Sequence, residues 1–397
     1  MNPLRELLRR TLRAVGLLSV ARLLLGRKAD GSPKQYRADS TFCADKHELV
    51  TSPKFIANET TRSAEVNSDQ YQQKLAVERA TFSQNINVHD LPSIYHYWSN
   101  NYLLPTHKPF GFTCPDSFFS LHLIKLLERL EQNGDATARF VSVGAGNCDT
   151  EVRLASSLIK AGHCRFVIDC LDLNSEMLAR GHQLAFDAGV AAHVHVTEVD
   201  FNYWKPTEPY NAVIANQSLH HVENLEGLFE CIRAAMTDDS IFLTSDMIGR
   251  NGHQRWPEAL VIVQKFWQEL PDSYRYNLQL NRFEETYQNW DCSQTGFEGI
   301  RAQDILPLLI KYFHFESFFA FANVIDPFID RGFGHHFNAA RDWDRQFIDR
   351  VAIADEQALR SGALKPTHIL AAMRKGPCAL QQHIAPFTPA FCLRKPC

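Results

Sequence analysis

Two adjacent histidines, His220 and His221, close the polar run Asn216-Gln217-Ser218-Leu219, and a third, His253, stands in Gly252-His-Gln-Arg-Trp256. Imidazole titrates near neutral pH, so each is a candidate catalytic base for an acceptor that must shed a proton, a role worth about 10²–10⁴-fold in rate. His221 also precedes an apolar helix start, where capping is its plainer role. A second pair, His335-His336, follows Asp326 and Asp330 in a glycine-containing loop. Those residue types suit a metal, but adjacent histidines in such a loop are more often solvent-exposed, and no metal is assigned.

A different chemistry is written into residues 139–151. The β-branched and aromatic run Phe140 to Val143 stops at Gly144-Ala145-Gly146, and a helical pattern begins at Asn147, carrying Val152, Leu154, Ala155, Leu158 and Ile159. A strand that turns through glycines into a helix start lets a ligand approach the backbone and offers it unpaired N–H groups. The dinucleotide fingerprint wants a third glycine where this chain has Asp149. A carboxylate there repels a pyrophosphate, yet it tolerates a ligand with no phosphate and a cationic end. S-adenosylmethionine, a nucleoside carrying a sulfonium, an ammonium and one carboxylate, is such a ligand.

The elements that follow repeat one pattern. Arg165-Phe-Val-Ile-Asp-Cys-Leu-Asp172 reads as a second buried strand ending in an acid, a place from which ribose hydroxyls are held, and Asn174 is placed to cap the next helix. His193-Val-His-Val-Thr-Glu-Val-Asp200-Phe201 is a third strand ending in an acid and an aromatic ring, suited to an adenine. Tyr210 to Asn216 is a fourth, and it leads into the His220-His221 loop and a helix from Leu225 to Met236.

Taken in order, VGAGN, LDLN, VDFN and NAVIANQSLHHV resemble the motifs of the seven-stranded, Rossmann-like methyltransferases that use S-adenosylmethionine, over roughly residues 136–247. The resemblance implies an α/β fold: a seven-stranded, mostly parallel sheet with helices on both faces, N-terminal helices and a helical lid. It also implies that Gly144, Ala145, Gly146, Asn147 and Asp149 cradle the methionine part. Asp172 would hold the ribose, Asp200 and Phe201 the adenine, the loop Asn216-Gln217-Ser218 would face the methyl group, and Leu173 counts among the cofactor-binding residues. Cys148, at the third small position of the turn, departs from the common pattern. Members that methylate base amines resemble Asn-Pro-Pro-aromatic after the fourth strand, to stack a flipped base. This chain has Asn216-Gln217-Ser218-Leu219 there, so DNA is not an expected substrate.

The 397 residues suffice for such a domain and further segments, and 45% hydrophobic with 22% charged residues is ordinary for a globular chain. A net charge of −4 supplies no general basic field for nucleic acid. The ten cysteines lack a C-x-x-C spacing and read as buried free thiols, Cys164, Cys170 and Cys231 among them, in a reducing compartment. Residues 1–28 set Arg5, Arg9, Arg10, Arg13, Arg22, Arg27 and Lys28 against Glu6 among leucines at helical spacing. This is a basic amphipathic helix, suited to an anionic membrane surface or to a partner chain. Residues 29–81 read as a polar linker or arm and 82–135 as a helical cap, with its helix capped at Asp116. Residues 136–375 form the methyltransferase domain, with a lid at about 248–299, and the proline-bearing 376–397 read as a disordered tail.

Leu91–Trp98 and Asp326–His336 further resemble bacterial polysaccharide-associated methyltransferases. The expected function is O-methylation of a sugar, glycan or other small or lipid-linked acceptor by a cytoplasmic protein, with peripheral membrane contact through residues 1–28 left open. A catalytically inactive binding or scaffold module of this fold is the alternative from another class, and a protein or RNA methyltransferase the alternative among enzymes. The sequence does not specify the oligomeric state.

Overall fold

The structure is a computed structural model that describes residues 69–84, 91–134, 137–294 and 296–394. The basic helix expected at 1–28 and most of the linker lie outside the described residues.

The runs of apolar residues form the centre of one sheet. Strand β1 (Ala138–Val143) pairs in parallel with β2 (Phe166–Asp172) on one side and with β4 (Tyr210–Asn216) on the other. Beyond β2 lies β3 (Val194–Glu198), and beyond β4 lies β5 (Met236–Met247), both parallel to their neighbours. The chain therefore steps outward from β1 in both directions, which leaves a crevice at the C-terminal ends of β1 and β4, where open α/β sheets take their ligands. β6 (His314–Phe321) is an outer strand, and β7 (His368–Arg374) inserts between it and β5, antiparallel to both.

Successive side chains of β1 alternate between faces: Phe140 enters one buried cluster, Val141 and Val143 the other. Helices cover both faces, among them α4 (Asp149–Lys160) after β1 and α5 (Ser175–Asp187) after β2. Asn174 caps α5 through its side chain, which accepts the N–H of Glu176 and Met177. The expected seven-stranded, mostly parallel architecture is present, with an eighth strand added.

That strand, β8 (Gln382–His383), lies in the stretch read as a disordered tail. It pairs with β6, and the tail goes on to bury Phe387 and Cys392. Proline spacing gave no sign of this, because a two-residue strand has no period to read. At the other end, residues 69–81 were expected as linker but form most of helix α1 (Asp69–Gln84). Its apolar residues make no single stripe, yet Tyr71 and Glu78 are buried.

The cap begins with α2 (Ser93–Trp98), and its helix α3 (Pro115–Gln132) is capped by Cys114 and Ser117, not by Asp116, whose carboxylate instead pairs with Arg153. Tyr97 and Tyr102 both donate hydrogen bonds to Asp349, and Trp98 is buried in the core, so this aromatic stretch anchors the cap. Residues 248–299 form a mostly irregular layer holding one long helix, Pro257–Glu269. Among the thiols, Cys170 is buried, but Cys164 is exposed in the turn before β2. No helix among the described residues is long and apolar enough to cross a membrane.

Candidate active site

The glycine turn is set by close packing. Gly144 leaves β1 at φ 71°, and a Cβ on it would lie 2.5 Å from Ser218 Cβ, so the turn and the loop after β4 approach as only glycine permits. Ser218 Oγ closes the same contact by donating to Val143 O. Cys148 takes a left-handed conformation, φ 55°, and its buried Sγ packs where Gly181 leaves room on α5. The departure at Cys148 thus has a partner: a side chain at 181 would collide with both the thiol and the Asn147 carbonyl.

Asp172, at the end of β2, is buried and bridges the turn. Its Oδ2 accepts Gly146 N–H at 2.8 Å and its Oδ1 accepts Asn174 N–H at 2.9 Å. Burial raises its proton affinity, and those two N–H bonds oppose the rise. Leu173 is buried beside it. Asp200 accepts the Tyr71 hydroxyl from α1 at 2.6 Å and the Asn202 N–H at 3.0 Å, and Phe201 is buried next to it. Asn147 Oδ1 accepts from Arg180, and Asp149 opens α4. Gln217 sits at φ 53° with its N–H given to Ser245 O.

Asn216 tests whether these residues fit S-adenosylmethionine. Its Nδ2 donates to Thr150 Oγ1, while its buried Oδ1 has no partner. Buried acceptors are nearly always satisfied, so an orphan beside the glycine turn suits a donor on a ligand, as an ammonium is. Each oxygen of Asp172 likewise keeps a lone pair for a hydroxyl. The group fits.

The three histidines converge. His253 Nε2 lies 2.6 Å from Glu298 Oε1, His220 Nε2 lies 3.5 Å from the same oxygen, and His221 Nε2 lies 3.5 Å from Glu298 Oε2. The lid brings this about through two glycines: Gly252 N–H donates to Gly299 O, a Cβ on Gly252 would collide with Asp291, and one on Gly299 would crowd Gly252 and His253. Behind His220, the fully buried Asp246 holds Nδ1 at 2.7 Å and also accepts the N–H of Ser218 and Leu219. Behind His221, Glu78 of α1 lies 2.6 Å from Nδ1 and accepts Phe297 N–H.

Burial alone would lower the proton affinity of His220, but Asp246 and Glu298 outweigh it and raise the pKa to about 10. Burial dominates at His253 and lowers it. For Glu298 burial is outweighed by the surrounding imidazoles, which hold its carboxyl well below the usual range.

Sequence reasoning named the histidines but missed Glu78, Asp246, Glu298 and Tyr71. Asp246 had a readable signal, since it ends β5 as Asp172 ends β2. The His335-His336 set is not brought together: His336 Nε2 bonds Tyr276 O, and Asp326 is held by Arg255 at 2.6 Å and His368 at 3.2 Å.

Residues 141–242 match the model of a methyltransferase domain. No curated protein matches the chain. Among solved structures, the chain is similar to an O-methyltransferase from a trans-AT polyketide synthase multienzyme of Brevibacillus brevis, in complex with S-adenosyl-L-homocysteine. The identity is 13%, the TM-score 0.38, and the match covers 65% of this chain and 72% of that one. It is also similar to a putative sarcosine dimethylglycine methyltransferase from Galdieria sulphuraria, at 14% identity and TM-score 0.36 over 66% of this chain and 87% of that one. A geranyl diphosphate C-methyltransferase from Streptomyces coelicolor A3(2), in complex with Mg2+, geranyl diphosphate and S-adenosyl-L-homocysteine, gives 12%, 0.35, 64% and 79%.

Proposed function

We propose that the chain is an S-adenosylmethionine-dependent O-methyltransferase acting on a hydroxyl of a sugar, glycan or other small or lipid-linked acceptor. The observation that carries this reading is the convergence of His220, His221 and His253 on Glu298 just beyond the loop that packs on the glycine turn. The match to a methyltransferase domain supports the reaction class.

When bound, S-adenosylmethionine supplies a sulfonium methyl, which an acceptor oxygen takes in an in-line displacement as the S–C bond breaks. The protein's own part is alignment, exclusion of water and removal of one proton. Gly144 to Gly146, with Asn147 and Asp149, are the turn that receives the methionine part; Asp172 and Leu173 stand for the ribose, Asp200 and Phe201 for the adenine. Asn216 and Gln217 line the way to the acceptor. Asp246 holds and orients the His220 ring at Nδ1. His221, backed by Glu78, is the residue assigned to take the acceptor proton. His253 and Glu298 complete the polar wall.

Calorimetric titration with S-adenosylmethionine and S-adenosylhomocysteine tests the cofactor. Micromolar binding that falls at least tenfold in Asp172→Ala is expected. No binding by the folded wild-type chain would favour the scaffold alternative. Methyl transfer to sugar acceptors, lost in His221→Ala, tests the reaction.

A further inference from the structure

We infer that His220, His253 and Glu298 form a binding site for a divalent first-row transition ion. These are one of two groups among the described residues whose donor atoms all lie within 4.8 Å of one another. The inference deepens the reading above in its use of the ion, though not in the binding itself.

The argument is one of lone pairs. Asp246 takes the Nδ1 proton of His220, so in its neutral form that ring presents a bare Nε2 to Glu298. An imidazole lone pair and a carboxylate oxygen 3.5 Å apart repel unless something positive lies between them. A proton or a metal ion meets that need. A carboxylate behind the ring, fixing its tautomer and aiming Nε2, is the arrangement that metal-ligating histidines have in their outer shell. His253 Nδ1 is buried without a hydrogen-bond partner, so Nε2 is its working nitrogen.

Two nitrogens and one carboxylate oxygen suit zinc, iron, manganese or cobalt with positions left open. Ligand bonds of about 2.0–2.2 Å put the donor atoms roughly 3.4 Å apart, which small side-chain rotations reach from the present spacing. Glu298 keeps 39% of its side chain exposed, so the site opens to solvent. An acceptor hydroxyl taking the open position would be polarised by the ion.

The second group, Cys148, Glu151 and Cys170, is fully buried under the glycine turn and serves as an internal control. The test is titration of the full chain, stripped with EDTA, with Co2+ followed by absorption and with Zn2+ in competition. One ion per chain is expected, with visible d–d bands, no near-ultraviolet thiolate band, and binding at least about tenfold weaker in His253→Gln and in Glu298→Gln. Cooperative melting checks that each variant is folded. No binding, a thiolate band, or unchanged affinity in both variants overturns the site. S-adenosylhomocysteine is titrated into the same samples. Its binding without cobalt binding sinks the metal site alone, whereas cobalt binding without it upholds the site and sinks the methyltransferase reading.

Discussion

Asp246 and His220 are joined where neither meets water: Asp246 is fully buried, His220 is 4% exposed, and Oδ1 of the one lies 2.7 Å from Nδ1 of the other. The second carboxylate oxygen accepts the N–H of Ser218 and Leu219, so one side chain fixes both the loop after β4 and the ring it carries. Removing one partner of such a pair strands the rest. Asp246→Ala should lower unfolding stability by about 3–5 kcal/mol, read as a lower urea midpoint at unchanged slope.

Gly144→Ala meets two obstacles, a positive φ and the Ser218 side chain. The first costs about 1–2 kcal/mol by itself. Pairing the change with Ser218→Gly removes the collision and leaves the strained φ. Binding of S-adenosylhomocysteine should therefore be lost in the single variant and partly restored in the double. Equal loss in both would mean that the contact is unimportant.

Tyr71→Phe deletes the hydroxyl that α1 gives to Asp200. A hydrogen bond to a charged group contributes roughly 1.5–3 kcal/mol. Limited proteolysis should cut within α1 at least several-fold faster in the variant, and bound S-adenosylhomocysteine should slow that cutting.

Glu151 gives a pH prediction. It is buried on α4, takes one hydrogen bond from Ser142, and leaves Oε2 without a partner. Burial raises its pKa to about 7. Over the window from the ordinary carboxyl value to about 7, the folded chain holds a proton that the unfolded chain has released. Its contribution is therefore fully present below pH 4.5 and is lost as pH rises through 7. The loss amounts to about 3 kcal/mol. Glu151→Gln should flatten that part of the profile, and comparing denaturation midpoints of the two proteins at pH 5 and pH 8 isolates the difference.

Phe387 checks the C-terminal segment. It is 3% exposed, and Phe387→Ala should cost about 3–5 kcal/mol in a urea titration. A change near zero would restore the view of this segment as a loose tail.

The parts of the fold legible in the sequence were those with a period or a stop. Central parallel strands are buried on both faces, so β1, β2 and β4 show as apolar runs that end at Gly144, Asp172 and Asn216. Asn174 was readable as a cap because capping is local. The acids around the histidines were not legible. Glu78 and Phe297 are 219 residues apart, and Glu78 comes from a helix without an apolar stripe. Glu298 lies in irregular chain, where position is set by glycine packing against Gly252 and Gly299 and by no repeating pattern.

Helix α1 touches both halves of the site. Tyr71 engages Asp200, just past β3, while Glu78, two turns on, stands behind His221. A rigid rod gripping two places cannot leave one without disturbing the other. Any displacement of α1 would therefore take the Tyr71 hydroxyl from Asp200 and the Glu78 carboxylate from His221 together.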